Sequence, residues 1–333
     1  MNNHKRTLIL MAAYNGEKYI KQQIDSIINQ TDKDWDLWIR DDGSNDNTVN
    51  IIKNIQKYDN RIRLFQNTTD VHGAYHNFYV LIREARNSNY EYYAFSDQDD
   101  LWKEDKLKQE IDIIHNSDEP ALVYADMEVI DENNHVIMDS IDKVMGISNF
   151  GKENVFFAHA YIWGGTTVFN RKLMSMLEKV VGSRLPNESV MAHDSLLMKL
   201  ALSTGKVHFC NTPTIRYRRH SANVTAGDRI NMNLKKIMKR VLDKNNSVPA
   251  VHALVYGETL TFIYQMKINN ISSKINLNEL EEAILNGGFK GVGYLLKIKF
   301  KRKQIARTLG TYIIMLTGRY KKYLVKYKKE LEF

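Results

Sequence analysis

The chain has 333 residues, of which 43% are hydrophobic and 26% charged, so it can bury a large core, and its composition excludes an intrinsically disordered protein. Its single cysteine, Cys210, excludes an intramolecular disulfide and is typical of a protein that stays in a reducing cytoplasm. The net charge of +8 is uneven, because residues 229–333 hold 21 Lys and Arg against 7 Asp and Glu while residues 1–228 are net acidic, and this predicts two functional parts, 1–228 and 229–333.

The first 130 residues alternate between strand and helix patterns. The apolar run from Leu8 to Ala13 follows Lys5 and Arg6, as in a signal peptide, but it is short, and we predict a first buried strand instead. Further strands are predicted at 35–42, 61–65, 90–96 and 121–130, with helices at 17–30, 46–58, 73–87 and 103–116. This alternation indicates an α/β fold with a Rossmann-like, mostly parallel central sheet flanked by helices. No window reaches the roughly 18 apolar residues of a membrane span.

The pattern is looser beyond residue 150. Gly164-Gly165 predicts a tight turn into a strand at 166–170, and residues 189–205 have the pattern of a helix that begins with polar residues. Residues 206–225 are predicted to form a strand pair that ends in basic residues. From residue 229 onwards the chain is predicted to be mainly helical and basic.

Polar clusters follow three of the predicted strands. The sequence AYNG at 13–16 follows the first strand, DDGS at 41–44 follows the second, and SDQDD at 96–100 follows the fourth. In sheets of parallel strands, ligands bind at the carboxyl ends of the strands. The three clusters are therefore predicted to converge on one crevice.

The cluster after the fourth strand has the chemistry of a divalent-cation site. Asp97 and Asp99 are two residues apart, so in an extended segment their side chains point the same way. Two hard oxygen ligands suit Mg²⁺ or Mn²⁺, particularly when substrate phosphates complete the shell, and the cation would offset the repulsion between the carboxylates. The alternative is that Asp99 or Asp100 caps the helix that follows Trp102.

Three other groups have a functional interpretation and a structural alternative. In the DDGS turn, a carboxylate would bind a base or ribose while Ser44 approaches phosphate, and the alternative is an ordinary Asx turn. At the start of the helix at 189–205, Asp194 would act as a general base, and the alternative is a helix cap. The basic residues 216–220 would neutralise a departing diphosphate, and the alternative is a solvated strand edge.

These motifs, in this order, resemble those of the family 2 glycosyltransferases, inverting enzymes of the GT-A fold that use nucleotide sugars. The resemblance covers roughly residues 5–228, and DDGS with Asp46 and Thr48 matches the family's DDGSxDxT signature. It implies that Asp41 contacts the nucleotide base. Asp97-Gln98-Asp99 matches the DxD metal motif with Asp99 as a direct ligand, and His193-Asp194 matches the (E/H)D pair whose Asp is the catalytic base.

The resemblance thus implies a complete set of site residues. Asp194 would remove the proton of the acceptor hydroxyl as that oxygen attacks the anomeric carbon. The metal would be held by Asp97, Asp99 and His220. The nucleotide sugar would be bound by Ala13, Tyr14, Asn15, Glu17, Asp41, Asp42, Ser44, Asn77, Asp97, Gln98, Arg218 and His220.

Three longer sequence strings restrict the resemblance to one branch of the family. FSDQDDLW, HDSLL and YRRHSANVTA are similar to the rhamnosyltransferase branch that builds bacterial cell-wall and capsular polysaccharides. That branch implies dTDP-L-rhamnose as donor and a lipid-linked saccharide acceptor at the cytoplasmic face of the membrane. A UDP-hexose donor is the alternative. Arg216 to His220 stands where processive synthases carry QxxRW, and this departure argues against a processive enzyme.

The basic region of residues 229–333 predicts a partner of its own. Residues 297–329 mix Lys and Arg with Ile305, Leu309, Tyr312, Ile313 and Leu316, an amphipathic arrangement suited to an anionic membrane surface. No nucleic-acid motif accompanies the charge, so nucleic acid is not expected as a partner. The alternatives for this region are a solvated helical subdomain and a homo-oligomer contact.

Two other classes of protein compete with the glycosyltransferase interpretation. A nucleotidyltransferase is expected to carry a Gly-rich loop with Arg or Lys after its first strand, and AYNG is not such a loop. A non-catalytic nucleotide- or lipid-binding scaffold is expected to have lost one of the four key carboxylates, and all are present: Asp41, Asp97, Asp99 and Asp194.

Overall fold

A nine-stranded sheet organises the computed structural model, which describes residues 7–149, 153–158, 162–182, 185–186, 188, 191–220, 248–329 and 331. Its strands run in the order β3-β2-β1-β4-β8-β6-β9-β5, and β7 pairs with β6 beside this path. The strands are β1 (Thr7–Ala13), β2 (Trp35–Asp41), β3 (Ile62–Gln66), β4 (Tyr92–Ser96), β5 (Leu101–Trp102), β6 (Ala121–Ile130), β7 (Val136–Met138), β8 (Thr167–Asn170) and β9 (Lys206–Arg218).

The first four strands are parallel, and their register positions the polar clusters. Ala13 at the end of β1 pairs with Asp41 at the end of β2, and Met11 pairs with Ser96 at the end of β4. The residues that follow these three strands therefore emerge side by side at one edge of the sheet. This confirms the predicted α/β architecture and the predicted convergence of the three strand ends.

The second half of the sheet is mixed rather than parallel throughout. β8 lies between β4 and β6 and is antiparallel to both, and β5 is antiparallel to β9. The predicted strand pair at 206–225 is wrong within the described residues: Lys206–Arg218 is a single strand parallel to β6, and residues 221–225 lie outside the described part. Its register shifts between Cys210 and Ile215, where Pro213 has no N–H to donate to the ladder.

The helices of the first 220 residues cover the faces of the sheet. They are α1 (Ile20–Ile28), α2 (Thr48–Gln56), α3 (Ala74–Glu84), α4 (Lys106–Ile114), α5 (Ile141–Met145), α6 (Arg171–Val181) and α7 (His193–Thr204). Each amphipathic helix buries the stripe that its apolar spacing predicts; α1, for example, buries Ile20, Ile24 and Ile27 at positions i, i+4 and i+7. The predicted helices at 17–30, 46–58, 73–87, 103–116 and 189–205 correspond to α1–α4 and α7.

Five helices follow in the described part of the basic region. They are α8 (Val248–Ile268), α9 (Leu277–Asn286), α10 (Gly288–Lys297), α11 (Ile305–Thr317) and α12 (Lys321–Lys329). α8 buries side chains on several sides, because α7 and α12 both pack against it. Its buried side chains, such as Tyr256 and Phe262, join the same hydrophobic core as the sheet. The predicted boundary at residues 228 and 229 lies outside the described residues.

None of the helices in the described ranges combines the length and the apolar character that crossing a membrane requires.

Candidate active site

A cavity of about 1160 Å³ opens at the carboxyl ends of β1, β2 and β4. Ten of the predicted site residues line it: Ala13, Tyr14, Asn15, Asp42, Asn77, Asp97, Gln98, Asp99, Asp194 and His220. Four others lie outside the wall that the described residues form: Glu17, Asp41, Ser44 and Arg218.

The turn after β2 holds the turn after β1 through side chain to main chain hydrogen bonds. Asn15, in the left-handed region at φ 47°, donates its N–H to Ser44 Oγ at 2.8 Å, and Gly16 donates to Thr48 Oγ1 at 2.8 Å. Glu17 donates to Asp46 Oδ2 at 3.0 Å and its carboxylate accepts from the N–H of residue 47. Ser44, Asp46 and Thr48 of the DDGSxDxT string therefore hold the loop after β1 in place.

The two carboxylates of the DDGS turn have different surroundings. Asp41 is buried and accepts from the N–H groups of Gly43 and Ser44 at 3.0 and 2.9 Å, so the Asx-turn alternative describes its contacts. Gly43 makes this turn possible at φ +86°, a conformation that other residues rarely adopt. Asp42 lies in the cavity wall and accepts from the Gly73 N–H at 2.8 Å, which fixes the start of α3.

Gln98 connects the loop after β4 to the loop after β1. Tyr14 donates its N–H to Gln98 Oε1 at 2.9 Å, and Gln98 Nε2 donates to the Tyr14 carbonyl at 2.9 Å. Gly16 leaves room for this side chain, because a Cβ atom at that position would lie 2.2 Å from Gln98 Oε1 and displace the amide. The amide of Gln98 thus aligns the loops after β1 and β4.

The carboxylates at 97–100 do not cap the following helix. The residue before α4 is Asp105, which makes no side-chain cap, so the capping alternative for Asp99 and Asp100 is wrong. Asp100 is buried and accepts from the Arg218 N–H at 3.0 Å. Asp99 Oδ2 lies 2.7 Å from His220 Nε2 at the cavity wall.

Asp97 and Asp99 have the chemistry to hold a divalent cation. Burial, and then the neighbouring charges of Asp99 and Asp194, raise the pKa of Asp97 to about 7, which is the effect expected of carboxylates that repel each other. Within the described residues, no three His, Cys, Asp or Glu side chains form a ready-made metal cage. That finding is compatible with Mg²⁺ or Mn²⁺, since such ions are held by one or two carboxylates together with substrate phosphates and water.

Arg218 contacts the loop of residues 97–100 from inside the protein. It is fully buried, donates from Nε to the Asp99 carbonyl at 2.8 Å, and packs over the Tyr19 ring at 4.5 Å. Arg216 pairs with Glu128 of the neighbouring strand β6 at 3.0 Å. Among the residues that the structure describes, His220 is the one basic residue of 216–220 that lines the cavity.

Asp194 lies in the cavity wall in the first turn of α7. The residue before this helix is Ala192, and Asp194 accepts from the N–H of Ser195 at 2.6 Å and from the backbone of Gly164, so it does not occupy the cap position. Burial raises its pKa to about 7, and the charge of Glu258 adds to the increase. A carboxyl group that titrates near neutral pH is suited to proton transfer.

His193, beside Asp194, was not predicted as a site residue. Its ring stacks on Phe78 with centroids 3.8 Å apart, and burial lowers its pKa to about 3, so the imidazole is neutral. Neither ring nitrogen has a hydrogen-bond partner among the described residues. Nε2 lies against Gly164, where a Cβ atom would approach to 2.5 Å.

Aromatic residues of the cavity were also missed. Trp163 and Tyr217 line it with ring centroids 6.1 Å apart, and Tyr75 lies in the wall at the start of α3. The only sequence signal for Trp163 was its place before the Gly164-Gly165 turn. Side chains alternate between the two faces of a strand, so in β9 Tyr217 points to the face opposite Arg216 and Arg218. This alternation was the sequence signal for Tyr217.

Comparison with known proteins identifies relatives of the chain. Residues 8–176 match the profile of glycosyl transferase family 2. The chain is 31% identical over 239 residues to dTDP-rhamnosyl transferase RfbG of Shigella flexneri, covering 69% of this chain and 78% of that protein. It is 32% identical over 133 residues to UDP-Glc:alpha-D-GlcNAc-diphosphoundecaprenol beta-1,3-glucosyltransferase WfgD of Escherichia coli, covering 38% of this chain and 48% of WfgD.

The fold is similar to that of a solved structure. The crystal structure of S. aureus TarS 1–349 in complex with UDP-GlcNAc superposes with a TM-score of 0.51 at 14% identity, covering 95% of this chain and 92% of that one. At this identity the likeness shows the fold alone, a GT-A architecture with a helical C-terminal region.

Proposed function

This chain belongs to glycosyltransferase family 2, and on that premise we propose that it transfers a sugar from a nucleotide-sugar donor to an acceptor hydroxyl with inversion at the anomeric carbon. One observation carries the proposal: Asp194, with a pKa near 7, lines the same cavity as Asp97, Asp99 and the loops after β1 and β2. The cavity therefore combines a proton acceptor with a place for a diphosphate.

In the proposed reaction Asp194 acts as general base. It removes the proton of the acceptor hydroxyl while that oxygen attacks the anomeric carbon from the face opposite the leaving diphosphate. Asp97 and Asp99, with His220 beside them, would hold Mg²⁺ or Mn²⁺, and the bound cation supplies positive charge next to the diphosphate.

The donor lies against the loops after β1 and β2. The wall there consists of residues 13–16 with Asp42, Gly43 and Asn45, so we assign the direct polar contacts with the nucleoside to Asp42 and the exposed main chain. Glu17, Asp41 and Ser44 support those loops, and Asn77, whose side-chain nitrogen donates to the Arg40 carbonyl at 3.1 Å, closes the wall behind them. Arg218 acts on the leaving group indirectly, by holding the loop of Asp99.

We propose dTDP-β-L-rhamnose as the donor, which inversion would convert to an α-rhamnoside. The support is the likeness to RfbG, described as a dTDP-rhamnosyl transferase, together with the strings FSDQDDLW and HDSLL. A UDP-hexose is the second candidate, because WfgD is described as using UDP-Glc. The name of WfgD also supports a lipid-linked saccharide acceptor, here within cell-wall or capsular polysaccharide synthesis.

We further propose that the basic region rests on the cytoplasmic face of the membrane as a peripheral contact. Ile305, Leu309 and Leu316 form an exposed stripe on α11, opposite the buried Ile314 and Met315, while Tyr312 and Ile313 are half-buried. Phe289 on α10 is 87% exposed. Apolar side chains beside many lysines suit an anionic bilayer, where each Lys or Arg contributes about 1 kcal/mol.

A donor panel tests the proposed function. Purified protein with Mg²⁺ or Mn²⁺ and a membrane lipid extract is given dTDP-rhamnose, UDP-glucose, UDP-galactose or UDP-N-acetylglucosamine, and nucleoside diphosphate release is measured. We expect release from dTDP-rhamnose that EDTA abolishes. Release from a UDP-sugar alone would contradict the rhamnose assignment, and a protein that binds nucleotide yet releases none from any donor in the presence of the extract would contradict the transferase assignment.

A further inference from the structure

Behind Asp194, three polar side chains form a buried cluster that joins α7 to α8. Lys199 is fully buried, and Ser195 and Glu258 are 5% and 3% exposed. Lys199 Nζ lies 3.3 Å from Glu258 Oε2, and the Ser195 hydroxyl donates to the same oxygen at 2.9 Å. Lys199 also donates to Ser195 Oγ, so each member of the cluster contacts the other two.

Stability alone does not account for this cluster. Taking two charges out of water costs several kcal/mol per ion, and apolar side chains of similar volume often hold two helices equally well. Apolar side chains of the two helices are buried as well, among them Leu196 and Leu200 on α7 and Tyr256 on α8. A buried ion pair directly behind Asp194 therefore points to a role in the neighbouring site.

Ser195 connects the cluster to Asp194. Its main-chain N–H donates to Asp194 Oδ1 at 2.6 Å, while its side chain is held by Glu258 and Lys199. Through Ser195, the contacts of Glu258 therefore reach the first turn of α7, which carries Asp194. The two charges also act on Asp194 across the intervening protein, since the charge of Glu258 raises its pKa and that of Lys199 lowers it.

We propose that Glu258 and Lys199 are positioning residues for the Asp194 carboxylate, so that the C-terminal helices form part of the catalytic unit. The inference deepens the proposed function and rests on the role of Asp194 as general base. It predicts that changes on α8, 64 residues along the chain from Asp194, alter the chemical step rather than donor binding.

The other groups that face Asp194 are the same in wild type and in all variants of the experiment. Asp97 approaches from the loop after β4, and the Tyr79 phenol approaches from α3 while it donates to the Met191 carbonyl at 3.1 Å. His193 is the neighbour in the chain and is neutral because burial lowers its pKa to about 3. A change in the titration of Asp194 that reverses sign between two variants can then be assigned to the charge removed.

The experiment compares Glu258→Gln, Lys199→Met and the double variant in the full-length protein. Removing the negative charge should move the acid limb of kcat/KM to lower pH, and removing the positive charge should move it to higher pH, each by about half a unit to one unit. In the double variant the limb should return towards the wild-type position. All three should lower kcat by about tenfold, with the donor KM within about threefold of wild type, because Asp194 and not the nucleotide loops loses its support.

Glu178→Gln is the matched control. Glu178 is 8% exposed and pairs with Arg171 at 3.1 Å. Arg171 follows Asn170, which pairs with the first residue of β4, so this ion pair lies at the end of the sheet opposite the cavity. The Glu178→Gln variant should lose about as much stability as the single variants at Glu258 and Lys199. Its pH profile and kcat should stay as in wild type. Acid limbs that do not move in the single variants would overturn the proposal.

Folding failure of the single variants leaves the proposal testable. An uncompensated buried charge destabilises strongly, whereas the double variant removes both charges and is expected to fold. Full kcat in the double variant would overturn the inference. Turnover that survives in Asp194→Asn would instead contradict the proposed function itself, so the two failures are distinguishable.

Discussion

At the scale of single residues, the carboxylates of the cavity region differ in what surrounds them. Asp41 accepts from two N–H groups of its own turn, at 3.0 and 2.9 Å, and so serves the loop. Asp97 and Asp194 are half-buried in the cavity wall next to like charge, and desolvation there is the main reason that the pKa of each rises to about 7. Sequence spacing cannot distinguish these cases, because it shows which residues are acidic but not which donors reach them.

We predict that sugar transfer slows on the acid side of about pH 7. Because burial raises the pKa of Asp194 to about 7, the carboxyl group is increasingly protonated below that pH and cannot accept the acceptor's proton. With saturating divalent cation, kcat/KM should fall about tenfold per pH unit below the pKa and level off above it. A profile that stays flat between about pH 5 and about pH 8 would contradict this role of Asp194.

At the scale of secondary-structure elements, three loops are aligned by hydrogen bonds between them. Ser44 and Thr48 hold the loop after β1 from one side, and Gln98 holds it from the other through two hydrogen bonds to Tyr14. Gly16 leaves room for the Gln98 amide, since a Cβ atom there would lie 2.2 Å from its oxygen. The proposed donor site is therefore held in place by contacts within the protein itself.

Gly16→Ala is predicted to weaken nucleotide binding by about tenfold or more. The new methyl group displaces the Gln98 amide, and the two lost hydrogen bonds contribute about 1 kcal/mol each. Isothermal titration with the nucleoside diphosphate measures the effect. Gly293→Ala is the control, because a Cβ atom there meets nothing within 4 Å and alanine favours the helix. Equal affinities in the two variants would contradict the alignment by Gln98.

Much of the first half of the fold was predictable from the sequence, and the second half was less so. β1 to β4 and their helices follow local hydrophobic periodicity, which a single sequence carries. The antiparallel position of β8 between β4 and β6 depends on contacts between distant segments, as does the continuous course of β9 across Pro213. For the same reason, Glu258 gave no sign in the sequence that it lies behind Asp194.

At the scale of the whole molecule, the described helices of the basic region share one hydrophobic core with the net acidic residues 1–228. α8 packs on α7 and adds Tyr256 and Phe262 to the core of the sheet. The exposed apolar residues of α10 and α11 lie in the region that holds 21 of the 47 Lys and Arg. With the proposed lipid-linked acceptor, this arrangement would bring the cavity to a lipid surface.

We predict that the protein sediments with phosphatidylglycerol-rich vesicles, that salt releases it, and that neutral vesicles do not bind it. Phe289→Ser combined with Ile305→Ser should weaken binding by at least about tenfold, because each side chain contributes about 1.5–3 kcal/mol when buried in the bilayer. Tyr58→Ser, at a 91% exposed position on the acidic half, is the control and should bind as wild type. Equal loss in both proteins would contradict the membrane contact.

The most direct test of the account is to measure both nucleotide binding and nucleoside diphosphate release in Asp194→Asn. Asparagine keeps the shape of the side chain but cannot accept a proton, so release from the donor, in the presence of acceptor, should fall by at least about a hundredfold. The dissociation constant of the nucleotide should stay within about threefold of wild type, because the loops after β1 and β2 are intact. Turnover that persists, or nucleotide binding that is lost, would contradict the assignment of Asp194 as the base of a glycosyl transfer.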